Sequence, residues 1–388
     1  MINLQQQIKR YPLLPFSRLV YDMTKWMPGV YSFPITYLWR GGANEKDRIE
    51  QAIRIAIANH PVFQMKVDWR GLHGAAPIKD LLHGRYHDVE LSVRGNDIQI
   101  SARFSRILGD GKSAEILLED IRRAYEELPL EQDDYWGYVA RFEQHKYSSH
   151  YRISRDWLIK EFADESVPVR PTIDRKTLFT VFPPKPGLFK ADYSNLQEKI
   201  QSLSETHHLS MDGFFSLCTA LAIAEYCGTD EAALTWAYEG RETPEEQRIF
   251  GSLHRDVPFQ ISRKSKVESQ KPASRGELIK EARNQTRSGI AHSDYPYTLT
   301  APYSERWNYA VNVLRSAEPQ DMLRHIDLPI EVISVPEQKY AYALLDVEIH
   351  EHPQDLSLWF RYSATHYKES SIRRFASLVR KYAEWLLE

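Results

Sequence analysis

Two adjacent histidines followed by an Asp-Gly pair form the part of the sequence with the most obvious chemical potential. His207 and His208 precede Asp212 and Gly213 in the segment HHLSMDG. A histidine near neutral pH can accept a proton from an amine or alcohol that attacks a carbonyl carbon. The spacing therefore makes this segment a candidate acid–base site, provided that its surroundings suit that role.

The residues around HHLSMDG predict a corner between two helices rather than a catalytic loop. The segment lies between the amphipathic stretch NLQEKIQSLSE and an apolar stretch that begins near Met211. Ser210 is a typical N-cap, and Asp212 suits the positive end of the helix dipole. A catalytic loop would instead follow a strand and precede a helix beside a cleft. We therefore expect His207, His208 and Asp212 to be structural and not catalytic.

A second segment, SRILGDG, has this strand–loop–helix context. It follows the predicted strand IQISARF and precedes a predicted helix that begins near Ser113. The spacing from Arg106 to Asp110 and Gly111 equals the corresponding spacing in HHLSMDG. Ser105 and Arg106 stand where the other segment has its two histidines. SRILGDG therefore has the expected position for chemistry but lacks a histidine.

The first half of the chain alternates helices and strands without a regular βαβ period. We predict a helix over 45–59 that ends before Pro61, because the residue before proline is disfavoured in helical conformation. A hairpin that turns at Gly95 and an amphipathic helix over 113–128 follow. A proline-rich stretch over 165–190 marks the predicted boundary between two halves.

The second half is predicted to begin with two helices, near 195–205 and over 211–226, followed by a β-rich region up to Val313. Two strands and an amphipathic helix over 341–388 complete it. Both halves mix helices with strands, which predicts an α+β fold. The sequence contains no glycine-rich phosphate loop, so it gives no support to a kinase or a dinucleotide-binding protein.

The composition argues against several classes of function. The chain has 388 residues, 42% of them hydrophobic and 27% charged, which is typical of a globular protein with two domains. The net charge of -3 gives no reason to expect a nucleic-acid partner. The N-terminus does not resemble a signal peptide, and the apolar run over 214–224 is too short to cross a membrane. With Cys218 and Cys227 as its only cysteines, both beside a strongly apolar stretch, we expect a cytoplasmic protein without a disulfide framework.

Six short segments resemble motifs of the condensation domains of nonribosomal peptide synthetases, which are relatives of chloramphenicol acetyltransferase. Each motif is short, but their order is that of the family and they extend over nearly the whole chain. They are YPLLPFSRLVY at 11–21, HPVF at 60–63, SRILGDG at 105–111, GR at 240–241 with FGSLHRDVPFQI at 250–261, AHSDYPY at 291–297, and the C-terminal strand–strand–helix. At the position of SRILGDG the family carries HHxxxDG.

The resemblance implies a fold and a set of partners. The fold would be α+β, with two chloramphenicol-acetyltransferase-like lobes, residues 1–172 and 173–388, in a V-shaped pseudo-dimer with a central tunnel. Donor and acceptor carrier proteins, acyl or peptidyl, would present their substrates on phosphopantetheine arms, and neighbouring synthetase domains are further partners. A coenzyme A thioester is the alternative donor. We expect no bound cofactor, no metal, no nucleic acid and no membrane.

The resemblance also implies roles for individual residues. Asp110 matches the family's aspartate, which holds the loop through a salt bridge, and Arg241 is its expected partner. Gly111 matches the small residue at which the carrier arm passes. Ser105 and Arg106 replace the family's two histidines, of which the second is assigned to the chemistry.

Arginine at this position leaves three functions open. Because an arginine side chain stays protonated at physiological pH, Arg106 cannot act as a base, but a fixed guanidinium could stabilise an oxyanion or bind an anionic group. Arg106 and Arg255, which replaces the family's usual asparagine, would then serve a transferase that joins a carrier-bound acyl or aminoacyl thioester to an amine or alcohol. Alternatively, Arg106 pairs with an acid such as Asp256, and the chain is a non-catalytic module that recruits carrier proteins or tailoring enzymes. The third function is a stand-alone acyltransferase that uses coenzyme A.

Overall fold

The computed structural model describes residues 10–26, 31–76, 80–162, 164–175, 184–265, 271–296, 310–335 and 340–388. Its helices are α1 (Pro15–Trp26), α2 (Lys46–Asn59), α3 (Gly111–Tyr125), α4 (Tyr135–His145), α5 (Ser149–Glu161), α6 (Gln197–His207), α7 (Met211–Cys227), α8 (Arg275–Ala291), α9 (Pro319–Leu323) and α10 (Glu369–Leu387). Its strands are β1 (Tyr11–Pro12), β2 (Ser32–Trp39), β3 (Met65–Val67), β4 (Leu72–Ala75), β5 (His87–Arg94), β6 (Asp97–Ser105), β7 (Pro186–Asp192), β8 (Glu231–Tyr238), β9 (Arg255–Ser262), β10 (Asn312–Arg315), β11 (Ile330–Ser334), β12 (Leu345–His352) and β13 (Asp355–Ser363).

Contacts between residues divide the chain into two compact units, and each unit combines segments that are distant in sequence. The first unit comprises 1–148, 239–254 and 317–337. The second unit comprises 149–238, 255–316 and 338–388.

A four-stranded sheet with the order β11-β2-β6-β5 lies in the first unit. β5 and β6 form the predicted hairpin, and Gly95 at its turn has a φ of +62°, a conformation that favours glycine. β11 pairs with β2 as an edge strand, which explains why 317–337 belongs to this unit. β6 delivers the chain to the SRILGDG loop, and α3 follows that loop. The strand–loop–helix context predicted for SRILGDG is therefore confirmed.

A six-stranded sheet with the order β7-β13-β12-β10-β8-β9 lies in the second unit. β10 runs parallel to β12 and to β8, and the other neighbouring strands are antiparallel. The predicted apolar helix is α7, which is buried from Met211 to Ala224 except at Asp212. It packs in the main core of the unit with side chains of α8, α10 and the sheet. The short apolar run over 214–224 is thus a core helix, as predicted.

The prediction of a β-rich region up to Val313 is wrong in one respect, because α8 lies within that region. The buried face of α8 contains Thr286 and Gly289 beside three apolar residues, so its apolar periodicity is weak. The N-terminal signal of α8 is nevertheless clear, since Ser274 and Glu277 form a capping box.

The contact units differ from the predicted lobes in three segments, 149–172, 239–254 and 317–337. The first of these belongs to the second unit because Val167 and Val169 pack in a cluster with Ala233. The two lobes divided at residue 172 stay a prediction.

Candidate functional site

HHLSMDG forms the predicted corner between two helices. α6 ends at His207, and His208 has a φ of 52°, in the left-handed conformation common at helix ends. The Ser210 side chain caps α7 by accepting a hydrogen bond from the backbone N–H of Gly213 at 3.1 Å. Both histidine side chains are exposed. The helix corner is confirmed, and its lack of a catalytic role stays a prediction.

The Asp-Gly pair of this corner has a structural explanation. Asp212 lies 3.2 Å from the guanidinium of Arg315, which also approaches Glu351. Burial raises the pKa of Asp212, and the charge of Arg315 limits the rise. A Cβ atom on Gly213 would lie 2.6 Å from Cδ1 of Leu209, so the close packing of the corner favours glycine.

The SRILGDG loop is fixed by backbone hydrogen bonds on both sides. The backbone N–H of Ser105 donates to the Tyr86 carbonyl at 2.8 Å, and that of Arg106 donates to the Tyr31 carbonyl at 2.9 Å. Ser17, in α1, donates from its hydroxyl to the Ile107 carbonyl at 3.1 Å. The loop is therefore attached to its neighbours before the Asp110 side chain contributes.

Asp110 is the N-cap of α3. Its Oδ1 accepts a hydrogen bond from the backbone N–H of Ser113 at 3.1 Å, and the Ser113 hydroxyl accepts one from the Asp110 backbone at 3.2 Å. This capping box satisfies N–H groups that the helix start would leave unpaired. The Ser113 hydroxyl also donates to the Gly251 carbonyl at 3.0 Å. The start of α3 is thereby joined to the segment 249–254.

Arg241 forms a bidentate ion pair with Asp110. Its two terminal nitrogens lie 2.9 Å from Oδ2 and 3.0 Å from Oδ1, and its side chain is fully buried. It also donates to the carbonyls of Ile249 and Gly251 at 3.1 and 3.0 Å. The contact expected between these two residues is present, although 131 positions separate them in sequence.

The carboxylate of Asp110 also organises the segment 249–254. Its Oδ2 accepts hydrogen bonds from the backbone N–H groups of Leu253 at 3.0 Å and His254 at 3.2 Å. Burial by itself raises the pKa of Asp110, but the charge and hydrogen bonds of Arg241, aided by His254, outweigh burial and bring the pKa below its usual range. Asp110 is therefore a buried carboxylate that holds a loop and does not exchange protons near neutral pH.

A family model for the condensation domain matches residues 106–388, which is most of the chain. The chain belongs to the condensation domain family. The match begins at Arg106 and includes Asp110, Arg241 and the segment 249–254. This condensation domain is 21% identical over 415 residues to surfactin synthase subunit 2 of Bacillus subtilis (strain 168), with 95% of this chain and 11% of that protein covered. It thus spans about a tenth of the length of that curated relative.

Solved structures of similar proteins show the fold. The condensation domain from the Monacolin K polyketide synthase MokA has a TM-score of 0.76 at 12% sequence identity, with 98% of both chains covered. The EpoB NRPS cyclization-docking bidomain from Sorangium cellulosum has a TM-score of 0.74 at 14% identity, with 99% of this chain and 86% of that chain covered. The mixed helix-and-sheet structure is therefore an α+β, chloramphenicol-acetyltransferase-like fold, of the class found in nonribosomal peptide and polyketide synthases.

Arg106 of this condensation domain is half-buried, and its guanidinium lies over the ring of Phe33, 4.7 Å from the centroid. Among the described residues of the first unit, no carboxylate forms an ion pair with it. A cation–π contact leaves the N–H groups at the guanidinium edge available for a ligand, unlike a bidentate salt bridge. The alternative in which Asp256 neutralises Arg106 stays a prediction.

Ser105 and Gly111 border the loop on either side. The Ser105 hydroxyl accepts a 3.4 Å hydrogen bond from the backbone N–H of Ile107, so its local role is to shape the turn. Gly111 is exposed, and a Cβ atom there would meet no described atom within 4 Å. Local packing therefore does not require glycine at position 111. A role for Gly111 in the passage of a carrier arm stays a prediction.

Arg255 begins β9 in the second unit, where its guanidinium donates to the Ser293 hydroxyl at 3.0 Å. Ser293 is the second residue after α8, within the AHSDYPY motif, of which Tyr297 lies outside the described residues. His292 in the same motif stacks on Trp157 at 4.7 Å, and burial lowers the pKa of His292. The predicted role of Arg255 in a tunnel stays a prediction.

His254 is the residue beside the loop whose importance the sequence alone did not indicate. Its backbone N–H bonds Asp110, and its ring lies 3.9 Å from that of Phe16. Phe16 precedes Ser17, whose hydroxyl holds the Ile107 carbonyl of the loop. His254 is thus held through its backbone by Asp110, and its ring packs against Phe16, the neighbour of Ser17. Its adjacency to Asp110 depends on tertiary structure, so no spacing in the sequence could have revealed it.

The described residues can be compared with the requirements of a metal site and of a membrane-spanning helix. In the described ranges, no cluster of three or more His, Cys, Asp or Glu side chains has an arrangement suited to a metal ion. No helix that the structure describes combines the length and the apolar character needed to span a bilayer.

Proposed function

We propose that this condensation domain transfers an acyl or aminoacyl group from a carrier-bound thioester to an amine or alcohol, without a histidine in the HHxxxDG position. One observation carries the proposal. The SRILGDG loop is anchored by the buried Asp110–Arg241 pair, and its second residue, Arg106, has no carboxylate partner among the described residues of its own unit. A loop that served only to connect a strand to a helix would not need a buried bidentate ion pair.

The proposed reaction forms a C–N or C–O bond and breaks the thioester C–S bond. The nucleophile loses a proton, and the carrier's phosphopantetheine sulfur leaves and is protonated to the thiol. Arg106 is permanently charged, so its proposed role is to stabilise the negative oxygen that develops on the thioester carbonyl. Alignment of the two substrates supplies much of the remaining rate acceleration.

The proton of the nucleophile needs an acceptor that Arg106 cannot provide. His254 is a histidine, half-buried beside the same loop, and an imidazole can accept a proton near neutral pH. We assign this role to His254. The ionised Asp110 next to it would stabilise the imidazolium that forms.

Donor and acceptor carrier proteins are the proposed partners, and neighbouring synthetase domains would supply them. The experiment is to load carrier proteins with candidate acyl and aminoacyl groups and to detect the product by mass spectrometry. Product that falls in both Arg106→Ala and Asp110→Ala supports the proposal. The absence of product with every donor and acceptor pair, or turnover unchanged by both substitutions, would overturn it. Coenzyme A thioesters tested as donors distinguish the stand-alone acyltransferase.

A second function is favoured by the contact between Arg106 and Phe33, which would also suit a residue with no chemical task. In that case the domain recruits carrier proteins or tailoring enzymes without catalysis. Calorimetry with loaded carrier proteins separates the two functions. Binding without product in the loaded-carrier assay indicates recruitment, whereas binding with product indicates transfer.

A further inference from the structure

His60 lies buried between two carboxylates at the end of α2. Its Nδ1 is 2.8 Å from Asp133 Oδ2, and its Nε2 is 3.3 Å from Asp120 Oδ2, outside good hydrogen-bond geometry. The imidazole is 1% exposed. Carboxylates beside both ring nitrogens favour the doubly protonated ring, since a neutral imidazole has only one N–H to direct at them. The arrangement therefore indicates an imidazolium.

Among the described residues, the charged groups that contact His60 are two carboxylates. Asp120 comes from α3 and Asp133 from the segment before α4, while the rings of Phe63 and Phe250 lie 6.3 and 5.0 Å away. Burial disfavours the charge, but the two carboxylates outweigh burial and raise the pKa of His60 above its usual 6.5. Burial also raises the pKa of Asp133, against the effect of His60.

Asp133 connects His60 to the segment 249–254. Its Oδ2, which His60 contacts, also accepts a hydrogen bond from the backbone N–H of Phe250 at 3.1 Å. Its Oδ1 accepts one from the backbone N–H of Tyr135, at the start of α4, at 2.9 Å. The side chain of Asp133 is completely buried. It would carry an uncompensated charge if His60 were neutral.

The same segment is held at its other end by Asp110. Leu253 and His254 donate their backbone N–H groups to Asp110, and Gly251 exchanges hydrogen bonds with Ser113. Two buried pairs, each of a cation and a carboxylate, therefore attach one short segment at its two ends. The pair at Asp110 contains an arginine, which does not titrate, and the pair at Asp133 contains a histidine, which does.

We propose that His60, as an imidazolium, is a positioning residue that fixes Phe250 through Asp133 and so sets the segment carrying His254 against the SRILGDG loop. The catalytic consequence rests on the proposed acyl transfer, but the positioning itself does not. Loss of the proton leaves two buried carboxylates beside a neutral ring, which loosens the hydrogen bond to Phe250. Because the pKa of His60 is raised, this stabilisation is complete below pH 6.5 and is lost as the pH rises through the higher pKa of the folded state.

The decisive experiment follows the wild-type protein by nuclear magnetic resonance between pH 5.5 and 8.5, from about one unit below to about two units above the usual histidine pKa. We expect the His60 ring to titrate with a midpoint above 6.5, and the hydrogen-exchange protection of the Phe250 amide to fall about tenfold through the same midpoint. His87 is the internal control, because burial lowers the pKa of His87 and its Nε2 bonds only a backbone carbonyl. A His60 midpoint at or below 6.5, or a Phe250 amide that does not follow it, would overturn the proposal.

Variants separate the charge of His60 from its packing. His60→Gln removes the charge, and we expect the Phe250 amide to have low protection at every pH. His87→Gln, a substitution of an equally buried histidine of the same unit, should leave the Phe250 amide and its pH dependence unchanged. If His60→Gln does not fold, the wild-type titration still decides the question. If the Phe250 amide has the same hydrogen-exchange protection in the wild type and in a folded His60→Gln variant, the proposal is contradicted.

An activity measurement tests the functional consequence. In the loaded-carrier assay, kcat should fall about tenfold as the pH rises through the His60 midpoint, while KM for the acceptor carrier stays constant. The fall of kcat with pH should be absent in His60→Gln, whose kcat should be low at every pH. It should be retained in His87→Gln. If no condition gives product, the proposed function fails, and the amide titration alone still decides whether His60 positions the segment. A fall of kcat retained in His60→Gln would contradict a role for His60 in transfer.

Discussion

Arg241 holds both carboxylate oxygens of Asp110, at 2.9 and 3.0 Å, in a place where both side chains are excluded from water. The two residues belong to the same contact unit although 131 positions separate them. Burial makes the pair costly to break, because either partner alone would be an uncompensated charge. The pair therefore forms the structural base of the SRILGDG loop.

A double-mutant cycle tests this coupling. We expect Asp110→Ala and Arg241→Ala each to lower the free energy of unfolding by about 3–5 kcal/mol, and the double variant to lose little more than either single variant. Urea denaturation at neutral pH gives the four free energies. Additive losses in the double variant would show that the two side chains are not coupled.

The HHLSMDG corner should tolerate substitution of its two histidines but not of its glycine. His207→Ala with His208→Ala should leave transfer activity unaltered, because both side chains are exposed at a helix end. His208→Gly should stabilise the protein by about 0.5–1 kcal/mol, since His208 has a positive φ. Gly213→Ala should destabilise it by about 1–3 kcal/mol through the contact with Leu209. Thermal unfolding and the loaded-carrier assay check these outcomes, and lost transfer in a stable double variant would contradict them.

Substitutions of Gly111 should affect carrier binding without affecting the stability of the protein. Because a Cβ atom there meets no described atom within 4 Å, Gly111→Ala and Gly111→Leu should change the free energy of unfolding by less than about 0.5 kcal/mol. If a carrier arm passes at this position, Gly111→Leu should raise KM for the loaded carrier, and Gly111→Ala should have a smaller effect. Identical KM values in the wild type and both variants would show that the arm does not pass there.

The fold could be predicted well where apolar periodicity is strong. α2 and α7 follow directly from their buried isoleucines and their apolar run, and the β5–β6 hairpin follows from alternation around Gly95. In α3 the apolar positions alone favour a buried face with Ile121, but the structure buries Asp120. Asp120 turns inward because it lies beside His60 and accepts a hydrogen bond from Asn59. A polar pairing between distant elements thus overrides the local pattern.

The site could be predicted only in part, for a related reason. The position of SRILGDG between a strand and a helix was visible, and the order of motifs placed Arg241 near Asp110. The proposed role of His60 could not be predicted, because a histidine before proline indicates only the end of a helix and, within HPVF, a motif similar to one of the condensation domains. Its partners, Asp120 and Asp133, approach it through folding and have no characteristic spacing in the sequence.

Substitution of Arg106 tests the central claim most directly. In the loaded-carrier assay, with a carrier pair that gives product with the wild type, Arg106→Ala should lower kcat by about 10²–10³-fold. Its free energy of unfolding should change by no more than about 1 kcal/mol, the size of one cation–π contact. Arg106→Lys, which keeps the charge but not the planar fork of donors, should have an intermediate kcat. Unchanged kcat in a folded Arg106→Ala variant would contradict the claim that this arginine takes part in acyl transfer.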